Sequence, residues 1–199
     1  GSIALADQDT RSLAREDLIF AISDGMGGGR AGDIASQLLL TTLGEIIPET
    51  FKRAAAGIYP DYFDQLETLV QKVHQAINQN ASQDPQKKGM AATLALTWFT
   101  PENLYLCNVG DSRIYRHRDG ETLQLSKDHS LAWGQLQRGQ ITERQFRSHP
   151  RRAALYQVIG GGHDTVIPHV DSLPYRDGDV FLICSDGVVD GLWNKQIHQ

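Results

Sequence analysis

Phe20-Ala-Ile-Ser-Asp-Gly-Met-Gly-Gly-Gly-Arg-Ala-Gly-Asp-Ile-Ala-Ser36 is the stretch on which the fold of this chain turns. On its left, Leu18–Ile22 is a short apolar run closed by a glycine-rich turn, the pattern of a buried strand. On its right, Ile34, Leu38, Leu39, Leu43 and Ile46 recur at helical spacing. A helix is therefore predicted over 33–47, with Pro48 as its stop. Between strand and helix stands Ser23-Asp24-Gly25. The same tripeptide returns as Ser185-Asp186-Gly187 after the apolar run Val180–Cys184. A third apolar run, Leu104–Val109, ends in Gly110-Asp111-Ser112. Three predicted strands thus each deliver an aspartate beside a glycine.

Asp-Gly alone is a favoured turn pair, and the chain has it five times. Asp119-Gly120 sits between two alternating runs and reads as a hairpin. Asp177-Gly178 lies in a polar loop, and Asp190-Gly191 is expected near the start of a final helix. Asp24 and Asp186 differ in following a buried strand and a serine.

Working outward, a second helix is predicted over 61–80, with Phe63, Leu66, Val70, Val73 and Ile77 as its inward stripe and His74 on its exposed side. The polar stretch 82–88, with Pro85, reads as a loop. Strands are predicted over 90–99, 103–109, 113–118 and 121–125. Short helices follow near 131–137 and 143–147, then strands near 166–170 and 180–184, and a last helix around 191–198. This order lacks steady βαβ alternation. It predicts an α+β fold, with helices flanking antiparallel sheets.

Bulk properties narrow the function classes. The 199 residues carry a net charge of −5, which argues against a nucleic-acid partner. No apolar run approaches the ~20 residues of a membrane span, so no membrane partner is expected. Gly1-Ser2 reads as a cloning scar, and no signal peptide is visible. Cys107 and Cys184 each lie in an apolar run and read as buried thiols, which fits the reducing cytoplasm. His129 and His149 read as loop residues, not as zinc ligands.

Aspartates gathered at strand ends repel one another, and unpaired buried charge is expensive. A hard dication resolves this, since Mg²⁺ and Mn²⁺ take oxygen ligands and keep waters. Two such ions about 4 Å apart can share a carboxylate and activate water on a phosphate ester.

The motifs resemble those of the bacterial PPM-type, protein phosphatase 2C-like serine/threonine phosphatases. The likeness starts in the quoted stretch 20–36. It continues through Asn108-Val-Gly-Asp-Ser-Arg113, Asp128-His-Ser130, Gly139-Gln-Ile-Thr142 with His149-Pro150, and Gly160-Gly161. It ends with Gly178-Asp179 and Cys184-Ser-Asp-Gly187. These come in the family's order over roughly residues 7 to 193. The resemblance implies an antiparallel β-sandwich flanked by helices. It implies a metal-dependent phosphatase in which water bridging two Mn²⁺ or Mg²⁺ ions attacks a phosphoserine or phosphothreonine, with no phosphoenzyme. Asp24 would bridge the ions and the Gly25 carbonyl would bind one of them. Asp186 would ligate the other, and Asp111 would help hold a third. Asp9, in Asp7-Gln8-Asp9, would be the acidic residue near the metals. Residues 130–152 would form a flap within a single domain covering 1–199. The partner would be a phosphorylated protein, the target of a serine/threonine kinase.

Departures matter too. The family's phosphate-gripping arginine falls on Ala4, and its Gly-Thr-Thr cluster reads Ala91-Ala92-Thr93. A late metal-binding aspartate, with the last helix and strand, would lie past Gln199, so the chain reads as trimmed. The alternative is a catalytically impaired pseudophosphatase acting as a binding or regulatory module. Gly27-Gly-Gly29-Arg-Ala-Gly32 also matches a dinucleotide-binding fingerprint. However, the helix after it is followed by another helix and not by a parallel strand.

Overall fold

The computed structural model describes residues 2–4, 17–27, 29–55, 61–192 and 194–197. In chain order these form β1 (Ser2–Ala4), β2 (Leu18–Ile22), β3 (Gly25–Met26), α1 (Arg30–Ala55), α2 (Tyr62–Ser82), β4 (Ala91–Ala92) and β5 (Leu94–Phe99). Next come β6 (Asn103–Val109), β7 (Arg113–Arg118), β8 (Glu121–Gln124), α3 (Leu131–Gln137), α4 (Glu143–Arg147) and β9 (Ile159–Gly160). The chain ends with β10 (His169–Pro174), β11 (Val180–Cys184), α5 (Asp186–Gly191) and α6 (Asn194–Ile197).

Three antiparallel sheets result, ordered β1-β2-β5-β6-β10, β11-β7-β8 and β3-β4-β9. The first is the middle layer. Leu94, Leu96, Trp98, Cys107 and Val109 pack toward Leu39, Leu43, Leu66, Val70 and Val73 of α1 and α2. On the opposite face, Ala95 and Leu106 meet Ile114, Leu125 and Ile183 of the second sheet. Every residue of β5 is buried. That is why its sequence runs apolar without alternating: both faces are covered. The third, small sheet joins Gly25 and Met26 to Ala92 and Ala91, and these to Ile159 and Gly160. Asp119 and Gly120 take φ 52° and 83°, the left-handed pair that a two-residue hairpin needs. Among the described residues no helix is long and apolar enough to cross a membrane.

Several predicted elements shift. The first helix is not stopped by Pro48 but runs from Arg30 to Ala55. Proline removes one helical hydrogen bond, and here burial of Leu39, Leu43 and Ile47 on the sheet outweighs that loss. The strand predicted over 90–99 breaks at Thr93, and its halves join different sheets. The strand expected near 166–170 begins only at His169. Gln71 Nε2 donates to the Val166 carbonyl at 2.6 Å, and Pro168 has no N–H for a ladder. The expected last helix is two pieces, the first starting at Asp186, so Asp190-Gly191 closes a helix and does not open one. His74 is not exposed but 1% accessible. Its Nδ1 accepts from Gly160 N–H at 3.0 Å and its Nε2 meets the His163 carbonyl at 2.9 Å, so both ring nitrogens are satisfied.

Candidate active site

The site is assembled at the ends of β2, β6 and β11. Asp24 leaves β2 and is gripped by its backbone. Its N–H donates to Thr93 Oγ1 at 3.0 Å, and its carbonyl accepts from Thr93 N–H at 2.8 Å. Ser23 Oγ donates to the Thr93 carbonyl at 2.8 Å. Thr93 Oγ1 also meets Ser112 Oγ at 2.7 Å. Thr93, 1% exposed, therefore pins the first strand end to the second. This is why the strand must break there: its backbone and hydroxyl are spent on Asp24, not on a ladder.

Glycine makes the close approaches possible. A Cβ on Gly25 would run into the carbonyl of Gly32, so the strand end and the first turn of α1 touch backbone to backbone. Gly110 has φ 95°, and a Cβ there would lie 2.6 Å from Thr93 Cγ2. Opposite Thr93, His129 closes the Gly110–Asp111 turn. Its Nδ1 accepts from Gly110 N–H at 3.2 Å, and the His129 backbone N–H donates to the Gly110 carbonyl at 2.8 Å. Burial first, then His169, pulls the His129 pKa down to about 4. The ring is thus neutral, as an acceptor Nδ1 requires.

Asp186 arrives on the first turn of α5 beside the Asp24 carboxyl. Its pKa is raised by burial, then by that contact and the Asp24 charge, with Asp190 adding and Arg152 opposing. Asp111 is pushed up to about 7 by burial, then by Asp186 and Asp128. Asp111, Asp186 and Asp190 line a cavity of about 20 Å³ with Arg113, Asp128 and Arg152, room for one water or ion. The Arg113 guanidinium is locked to Asp128 at 2.6 to 2.9 Å, and Gln124 Nε2 adds a 2.9 Å bond to the same carboxylate. That buried pair is a wall of the cavity.

The structure therefore brings together three of the sequence-predicted aspartates: 24 with 186 directly, and 111 across the cavity. Gly25 lies beside Asp24. Asp9 lies outside the described residues. Ala4 sits opposite Phe20 on the edge strand. Among the described residues no three Asp, Glu, His or Cys side chains converge closely enough to form a complete ion-binding cluster. In kind, however, the donors fit a hard dication: crowded carboxyls, half-buried, with an ion-sized cavity between them. Sequence reasoning missed Thr93, His129 and the Arg113–Asp128 pair as builders of the site. Arg113, Asp128 and His129 stand inside the motifs that carry the resemblance, which was the available signal. For Thr93 the signal was its place in Ala91-Ala92-Thr93, the counterpart of the family's Gly-Thr-Thr cluster.

Segment 131–152 is fastened to α5. Arg147 donates to the Val189 carbonyl at 2.9 Å, the Asp190 carbonyl at 3.1 Å, and the Leu192 carbonyl. Arg152 pairs with the Asp190 carboxylate. The helix that presents Asp186 is thus held at its C-terminal end by arginines.

Comparison with known proteins gives a consistent picture. The family model described as protein phosphatase 2C matches residues 5–199. The serine/threonine protein phosphatase PstP of Mycobacterium tuberculosis is 34% identical over 179 residues, covering 90% of this chain and 33% of PstP. The serine/threonine phosphatase Stp of Listeria innocua is 33% identical over 177 residues, covering 86% of this chain and 67% of Stp. The chain therefore spans about a third of the first relative and about two thirds of the second. Among solved structures, the catalytic domain of PstP in complex with two manganese ions superposes with a TM-score of 0.76 at 29% identity, covering 100% of this chain and 82% of that one.

Proposed function

The chain belongs to the protein phosphatase 2C family, and from that membership we propose that it is a metal-dependent serine/threonine protein phosphatase. The observation that carries the reading is Asp186, which lies beside the Asp24 carboxyl and shares one ion-sized cavity with Asp111. We assign Asp24 as the bridging ligand of two Mn²⁺ or Mg²⁺ ions and Asp186 as a ligand of one. The Gly25 carbonyl and Asp9 complete the pair, and Asp111 serves a third. The manganese in the PstP structure supports manganese as the first metal to supply. Bound there, the ions would provide a water nucleophilic at neutral pH and neutralise phosphoryl oxygens.

The protein's own contribution is positioning. Thr93 fixes Asp24 through both backbone groups, so the backbone that carries the carboxylate is held in place. Segment 130–152 is the flap of a single domain spanning 1–199, and its arginines hold α5 in place. The substrate is a phosphorylated protein, the target of a serine/threonine kinase. The two free, buried thiols favour the cytoplasm.

The test uses the whole chain with Mn²⁺ and two substrates, p-nitrophenyl phosphate and a phosphothreonine peptide. Hydrolysis that requires the metal and disappears on chelation supports the proposal. A protein inert on both, whose phosphopeptide binding is untouched by Asp24→Ala, is a binding module instead.

A further inference from the structure

The charge of this molecule is unevenly placed. The chain is net −5, yet residues 130–152 hold five arginines against one glutamate, net +4. Two of the five, Arg147 and Arg152, are spent on α5. The other three, Arg138, Arg144 and Arg151, are exposed and form no ion pair among the described residues. They stand close to the cavity. Arg151 precedes Arg152, which lines it. Phe146 of α4 lines it as well, and Arg144, two residues away, lies on the other, solvent-facing side of that helix. Arg138 caps α3, which packs on α4. The aspartates themselves lie inward, at the strand ends. The segment that borders the cavity through Phe146 and Arg152 thus carries three guanidiniums that face solvent.

We propose that Arg138, Arg144 and Arg151 form a docking rim that selects phosphopeptides carrying acidic residues around the phosphorylated side chain. This rests on the phosphatase reading and names its substrate class. Solvent-facing guanidiniums pair bidentately with carboxylates and draw an acidic partner in by long-range attraction. A lysine-rich peptide meets the same rim as a like charge.

The test compares two phosphothreonine peptides, one flanked by Asp and Glu and one by Lys. Anisotropy measures their binding without turnover, and hydrolysis gives kcat/KM with Mn²⁺. The wild-type protein should prefer the acidic peptide by at least about tenfold at low salt. The preference should collapse near 1 M salt, where the screening length is about 3 Å. The triple variant Arg138→Gln/Arg144→Gln/Arg151→Gln should lose it while hydrolysing p-nitrophenyl phosphate like wild type. Equal binding of both peptides by the wild-type protein overturns the proposal. So does a triple variant that keeps the preference, or an RNA oligonucleotide that binds more tightly than the acidic peptide. If p-nitrophenyl phosphate is not hydrolysed at all, the phosphatase reading falls, and the anisotropy arm still decides the rim.

Discussion

The two copies of Ser-Asp-Gly follow equivalent strands and are built by opposite means. In the first, Ser23 is buried and donates to Thr93, and Asp24 is bonded at both backbone groups. Gly25 has no room for a Cβ. In the second, Ser185 stands at the start of α5 with no side-chain capping bond. Asp186 occupies the helix first turn, where the dipole favours its charge. A Cβ on Gly187 would meet only Ser185 Oγ, at 3.7 Å. One aspartate is held by contacts some seventy positions away in sequence, the other by a local helix. The bridging role proposed for Asp24 calls for the first kind of support. A terminal ligand tolerates the second.

The largest expected effect treats both copies alike. Asp24→Ala and Asp186→Ala should each reduce manganese-dependent hydrolysis by at least about 10³-fold if, as proposed, the ions bind through these carboxylates. Calorimetry on the same variants sharpens the comparison. Asp24→Ala should abolish manganese binding, whereas Asp186→Ala should leave a weaker site. Equal loss of binding in both would erase the proposed division of labour.

The glycines should separate the copies by stability. Gly25→Ala forces backbone against backbone and should cost about 3 kcal/mol or more, read as a drop in denaturation midpoint. Gly187→Ala places a good helix former in α5 at a position with space, and should be neutral or stabilising by less than about 1 kcal/mol. If both substitutions cost the same, the close Gly25–Gly32 contact is not what fixes the first copy.

This asymmetry was only half legible in the sequence. Strands ending in Asp24, Asp111 and Asp186 could be read because apolar runs and a neighbouring glycine are local patterns, although the strand before Asp186 leaves Val180 and Leu182 exposed and is not buried as expected. The α+β class and the order of the motifs followed from the same kind of signal. The support could not be read. Thr93 meets Ser23 and Asp24 across 70 and 69 positions and Ser112 across 19, and no window along the chain contains those pairs. His74 was misplaced because residue type suggested solvent. Yet it follows Val70 by four and precedes Ile77 by three, which puts it on the inward stripe. Its burial needed Gly160 and His163, which only the fold supplies. Pro48 misled in the same way: a local stop signal lost to packing.

The third strand end, Gly110-Asp111, has neither a serine before its aspartate nor a helix after it, and depends on His129. That dependence has a sign. His129 is 7% exposed, and its folded pKa, about 4, lies below the usual 6.5. The unfolded chain therefore takes up the proton first as pH falls. Stability from this group is complete above about pH 6.5 and is lost progressively down to about pH 4, by an amount on the order of 2 kcal/mol. Asp111, whose pKa is raised to about 7, gains stability over the same window and opposes this, so thermal melts of the metal-free protein need a variant lacking the imidazole beside them to show the loss. His129→Gln, with a carbonyl oxygen able to accept from Gly110 N–H, should flatten it. An unchanged slope in that variant would mean that other groups set the pH response.

The smallest effect returns to the serines. Ser23→Ala leaves the Thr93 carbonyl without its buried donor and should cost about 1 kcal/mol, or roughly 2–4 °C in Tm for a domain of this size. Ser185→Ala removes a hydroxyl that makes no capping bond, so its cost should stay within about 0.5 kcal/mol. The difference is small but directional, and activity sharpens it. Displacing Ser23 loosens the Thr93 staple, so kcat/KM should fall for Ser23→Ala and not for Ser185→Ala. Should Ser185→Ala prove the costlier of the two, the helix start, not the threonine staple, governs how the paired carboxylates are held.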